Sequence, residues 1–198
     1  MKRIKPLHVA LVFAAAAMVL ILRYVVFPPK FLPWEFTEAR LKGADIAQRI
    51  VELSRGTLTR LNDVSRYDQD RNYNEALVSI ARAVIENRQN QVEAVRLSSQ
   101  LEDMARYIMK ISPSRARSLA TDAVSSEIAL VTRMVYYNDY LFQLFEALKA
   151  KLENPSRSYL DGQVNELINN INDEAQSIND LNKHFNQVMA EFDAIFGK

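Results

Sequence analysis

The chain has 198 residues, of which 48% are hydrophobic, 25 are basic and 24 acidic, and none is cysteine. All 24 acidic residues lie after position 30 together with 20 of the basic ones, so that part carries a net charge of −4. This disfavours nucleic-acid binding, which wants a basic face for phosphates, and the lack of a thiol rules out disulfides, thiolate metal sites and a lipoprotein anchor.

Residues 7–27, LHVALVFAAAAMVLILRYVVF, predict a membrane-spanning helix. At ~1.5 Å per residue they reach about 31 Å, matching a ~30 Å hydrocarbon layer. No amphipathic period marks them as a core helix. Cleavage after Ala15, Ala16 and Ala17 would leave MVLIL and YVVF as a greasy new terminus, so the segment reads as a signal anchor rather than a cleaved peptide. Lys2, Arg3 and Lys5 precede it, against Arg23 and Lys30 after it. That bias places residues 1–6 in the cytoplasm and the rest outside.

Pro28, Pro29 and Pro33 stop this helix, and residues 28–36 form a juxtamembrane linker. Tyr24, Phe27, Phe31, Trp34 and Phe36 suit an aromatic belt at headgroup depth. The alternative is a stiff linker whose aromatics cover the base of the body. Either arrangement holds the body close to the bilayer.

Residues 37–198 predict an all-α body of one domain. Beyond Pro33 the only prolines are Pro113 and Pro155, and the segments between are rich in good helix formers, without the alternation of strands. The first helix is expected from Thr37, as N-cap, to about Val64, with Leu41, Ala44, Ala47, Ile50, Val51, Leu58 and Leu61 inward. The polar run 65–72 should end it. The second carries Tyr73, Leu77, Ile80 and Val84, a polar middle at 87–91, then Leu97, Leu101 and Ile108. Ser112 and Pro113 should cap and open the third, where Val124, Val131, Asn138, Phe145 and Leu152 recur every seven residues. After a turn at Pro155, Val164, Ile171, Ile178, Phe185 and Phe192 keep the same period.

Four such helices predict an up-down-up-down bundle about 50 Å tall, with a coiled-coil-like C-terminal hairpin. In this topology the joint at 112–113 returns to the anchor side. Arg106, Lys110, Arg115 and Arg117 are then candidate headgroup contacts, each gaining ~1 kcal/mol from anionic lipid, unless they simply solvate a helix end.

Residues 73–97 also invite a second architecture. Tyr73, Ala76, Ile80, Ala83 and Asn87, followed by Ala94 and Leu97, resemble the second helix of a tetratricopeptide repeat running into the next first helix. The resemblance implies a peptide-binding adaptor with a break near residues 87–90. Arg88 stands where that repeat has proline, and Arg60, Asp63 and Val64 where it has an aromatic, a leucine and a small residue. In outline the chain is also similar to the four-helix sensory domains of membrane receptors, which would imply a ligand-binding bundle signalling through a separate partner.

No catalytic constellation emerges. His184 is the one histidine of the body, so neither paired di-iron motifs nor a zinc-binding histidine pair can form. No phosphate-binding glycine pattern is present. Neighbouring acids such as Glu102 and Asp103 point about 100° apart on a helix and read as solvated. The expectation is a non-enzyme without cofactor or metal.

Two features suggest binding. Tyr136, Tyr137, Asn138 and Tyr140 concentrate aromatics around a polar residue at a core heptad position. Asn138 there either holds register inside the bundle or, with the tyrosines, forms a small-ligand pocket. The other is the polar face of the last helix, where Asn165, Asn169, Asn170, Asn172, Asn179, Asn182 and Asn186 suit a partner surface or plain solvent exposure. Taken together, the expected role is a membrane-anchored, extracytoplasmic scaffold for a protein partner or for self-association.

Overall fold

A computed structural model describes residues 29–153 and 159–197. The expected anchor, Tyr24, Phe27 and the turn at Pro155 lie outside the described residues. Among those that are described, no helix is long and apolar enough to cross a membrane.

Four helices make the fold: α1 (Trp34–Gln69), α2 (Tyr73–Ile108), α3 (Ser114–Glu153) and α4 (Tyr159–Phe196). Successive helices pack side by side, α1 on α2, α2 on α3 and α3 on α4. Short connections force each to run back along its predecessor, the up-down-up-down bundle that the sequence predicts.

The helix ends have local causes. Pro33 precedes α1, its carbonyl accepting from the Thr37 amide at 3.4 Å, so the helix opens before Thr37 and Thr37 lies inside it. The polar run 65–72 does not end α1 at Val64, because arginine and glutamine are good helix formers and Arg66 pairs with Asp63 at 3.0 Å. The stop comes at Arg71, with φ 57. There the Asn72 amide reaches the Tyr67 carbonyl at 2.8 Å and the Arg71 amide reaches Asp68 at 3.1 Å, a Schellman closure with arginine in the left-handed position that glycine usually takes. The α2–α3 joint is pinned to the start of the body: Phe31 and Ser112 exchange backbone hydrogen bonds of 3.0 and 2.9 Å, and Ile111 is fully buried beneath them.

The inward face of α1 is displaced from the expected one. Leu41, Val51 and Leu58 are exposed, whereas Phe36, Gly43, Ile50, Thr57 and Val64, seven apart, face the core. Leu97 of α2 packs directly over Gly43, with its Cδ1 3.5 Å from where a Cβ would stand, an ordinary contact distance, and Leu41 and Leu58 fall outside that seam. Helix α2 is unbroken from Tyr73 to Ile108; the interruption at residues 87–90 that a tetratricopeptide repeat requires does not occur. In α3 and α4 the expected heptads face inward, with Val124, Val131, Asn138, Phe145, Leu152, Ile171 and Phe192 buried.

The core divides in two. One cluster, at the base, gathers Phe36, Ile46, Leu101, Met104, Ile111, Val124 and Phe192. The other, at the far end, gathers Val64, Ile80, Leu141, Leu144, Phe145, Leu167 and Ile171. Between them lies a polar layer of Thr57, Asn87, Asn90 and Asn138, each 1% exposed.

Candidate functional site

Helices α1 and α4 close the bundle at its base. Phe36 packs on Phe192 with ring centroids 5.6 Å apart, and Phe192 on Phe196 at 5.2 Å. Arg40 grips Asp193 with both guanidinium nitrogens, at 2.6 and 2.8 Å, the paired geometry that makes arginine–carboxylate contacts strong. No other α1–α4 hydrogen bond or ion pair occurs among the described residues. The two backbones hardly approach each other at all, so at the base it is side chains that span the gap, and farther along α3 residues line the space between them.

The result is a trough floored by α3 and walled by α1 and α4. Its far part is a cavity of about 370 Å³ among Leu58, Leu61, Tyr137, Leu144, Leu148 and Ile171. A second cavity of about 260 Å³ continues it toward the middle of the bundle, past Ile50, Ser54, Met134 and Ile178 to Asn90 and Asn138. Leu58 and Tyr137 line both. From Ile50 to Asp68 the trough follows α1 for roughly 27 Å at the helical rise.

Polar groups at the middle of the bundle are incompletely used. Asn87 Nδ2 donates to the backbone carbonyl of Asn138 at 2.8 Å, and Asn90 Nδ2 donates to Ser54 Oγ at 3.1 Å. Among the described residues the amide oxygens of Asn87, Asn90 and Asn138 find no hydrogen-bond partner, although a buried polar atom without one is costly. Burial pushes the Tyr137 phenol up from its ordinary value. Outside the trough, burial lifts the Glu127 carboxyl to about 7, and its Oε2 also lacks a partner.

The aromatic cluster expected around Asn138 is split by the helix. Tyr137 and Asn138 reach the trough, and Tyr140 packs half-buried against the far core. Tyr136 is exposed on the opposite side, beside Ile128 and Val135. The register bond at this level uses the backbone carbonyl of Asn138 rather than its side chain.

The candidate headgroup cations gather at the base, near the bridge between Phe31 and Ser112, but they are engaged within the protein. Arg106 pairs with Glu102 and Asp103, and Arg115 lies 3.7 Å from Glu191. Arg117 donates to the Ile111 carbonyl at 3.2 and 3.3 Å. Lys110 sits over the Tyr107 ring at 4.9 Å. Of the described belt residues, Phe31 and Trp34 are exposed at this same end, whereas Phe36 belongs to the core. Asn172 and Asn179 border the trough; Asn165, Asn169, Asn182 and Asn186 are solvent-facing.

A second surface lies on α2. Val78, Ile85 and Val92, seven residues apart, are 44%, 58% and 54% exposed, and Val95 continues the line. Arg82 and Arg88 stand three or four residues from them, hence on the same face, and form no ion pair among the described residues. The aliphatic period was readable in the sequence. Its outward orientation was not, because it competes with the buried set Ala76, Ile80, Ala83, Ala94 and Leu97 on the same helix.

No potential metal site of three or more histidine, cysteine or acidic side chains occurs among the described residues. The chain matches no protein-family model, no curated protein and no solved structure.

Proposed function

We propose that the chain is a single-pass, membrane-anchored helical bundle that acts as a non-catalytic interaction scaffold, with residues 7–27 in the bilayer and the bundle on the extracytoplasmic side. The observation that carries the scaffold reading is the α2 stripe of Val78, Ile85 and Val92. Aliphatic side chains at this period and exposure form one half of a coiled-coil seam. Arg82 and Arg88, unpaired among the described residues, give the seam a positive flank. The complementary partner is an amphipathic helix with an apolar stripe and acidic neighbours, docking helix against helix. The anchor rests on the length and apolarity of residues 7–27. Exposed Phe31 and Trp34, where the chain joins the base, are in keeping with a body seated at the membrane surface.

The test is native mass spectrometry of the full-length protein released gently from its own membrane. The proposal expects a discrete added protein mass that disappears in Ile85→Asp and weakens in Arg82→Glu with Arg88→Glu. A bare monomer, or a partner indifferent to all three positions, would contradict it. A simple multiple of the chain mass would give the stripe to a second copy instead.

A further inference from the structure

We propose that the trough between α1 and α4 is a binding site for a single-chain amphiphile with a neutral, hydroxyl-bearing head. It goes beyond the scaffold reading and stands without it.

Shape is the first argument. A cavity of about 370 Å³ joined to one of about 260 Å³ falls in the ~300–1,000 Å³ range of small-molecule sites. Its length of roughly 27 Å along one helix suits an extended chain better than a compact ring. Leu61, Leu144, Leu148 and Ile171 provide an aliphatic bed at the far end.

Chemistry is the second. Where the trough reaches the middle of the bundle it is lined by Asn90 and Asn138, each 1% exposed and each with an unpartnered amide oxygen. Two buried acceptors ask for donors. A docked helix would bring none from its interior backbone, whose amides are already bonded within the helix. A hydroxyl head supplies them once the two buried amides turn toward the cavity that they line. A carboxylate head offers only acceptors and would face those oxygens unfavourably. Among the described residues Arg55, on the exposed rim of the same cavity, is the one cation there that would favour it, and competition with a fatty acid decides between the two heads. The tail then lies over Tyr137 toward Leu148, and the head meets Asn90 and Asn138.

The experiment uses the full-length protein in phosphatidylcholine nanodiscs with a monoacylglycerol carrying a photoreactive diazirine in its acyl chain. The proposal expects saturable labelling of residues 58–68, 137–152 and 164–179, displaced by unlabelled monoacylglycerol. Asn138→Leu should weaken it about tenfold, the effect of one lost hydrogen bond of this kind. That substitution spares the bond from Asn87, which is made to the backbone carbonyl. Leu58→Trp, at the half-exposed rim, should block labelling while leaving the helical circular dichroism unchanged, so the test does not depend on a core variant folding. Labelling confined to residues 7–36, or labelling indifferent to Leu58→Trp, would overturn the site. Competition by palmitate as strong as by monoacylglycerol would overturn the assigned head.

Discussion

The two halves of the bundle use similar residues to opposite effect. At the base, Phe36, Phe192 and Phe196 stack across the α1–α4 seam and Arg40 locks onto Asp193, so the ring of four helices closes. At the far end the same two helices present Leu58, Leu61, Val164 and Ile168 to a trough, and among the described residues no aromatic pair bridges the opening. Large rings span the distance between helix axes, whereas leucines projecting from separated walls leave space between them.

That contrast orders the expected effects of substitution. Phe192→Ala removes a fully buried ring that touches both Phe36 and Phe196, and should cost about 3–5 kcal/mol in urea unfolding of the full-length protein in detergent. A loss below about 1 kcal/mol would mean the base is not the stable half. Glu127 provides the next largest effect. Its carboxyl is raised from 4.5 to about 7 by burial, so the folded state holds a proton that the unfolded chain releases. Stability from this group is complete below pH 4.5 and falls as pH rises to 7, by about 3 kcal/mol across the window. Glu127→Gln should flatten that slope, and an unchanged pH profile would show the carboxyl to be hydrated.

Leu144→Ala should cost about 2 kcal/mol, the low end for a buried leucine, because Leu144 already borders the trough. Phe145→Ala, on the same turn but fully buried, should cost more. Equal losses would argue that the far half is as tightly filled as the base. The Arg40–Asp193 pair is smaller still. Both side chains are a quarter to a third exposed, and a double-mutant cycle should give about 1 kcal/mol or less.

Much of the architecture was legible because α3 and α4 carry their heptads on large aliphatic and aromatic residues, which hydropathy alone finds. Helix α1 was only partly legible: Ile50 faces inward as expected, but the seam also runs through Gly43 and Thr57, and Leu41 and Leu58 stay outside. What decides that face is where α2 lies against it, a property of two helices together. The same reasoning applies to Asn87 and Asn90. They read as a polar interruption of α2, yet the layer beneath them is completed by Ser54 from α1 and the carbonyl of Asn138 from α3. Adjacent in sequence, Tyr136 and Tyr137 read as one aromatic cluster, but the helix turns Tyr137 into the trough and Tyr136 away from it. The trough itself left no trace in the sequence, being the consequence of a contact that α1 and α4 make at one end and not at the other.

The absence of cysteine makes the most direct test straightforward. Spin labels placed in pairs, at Arg40 and Asp193 across the base and at Asn62 and Asn172 across the trough, would report both α1–α4 separations by electron–electron resonance. A bundle closed at its base and open above predicts a short, narrow distance for the first pair and a longer one for the second, drawn in when the monoacylglycerol binds. Two equally short distances would mean that the helices close along their whole length, and the account of an open half would be wrong.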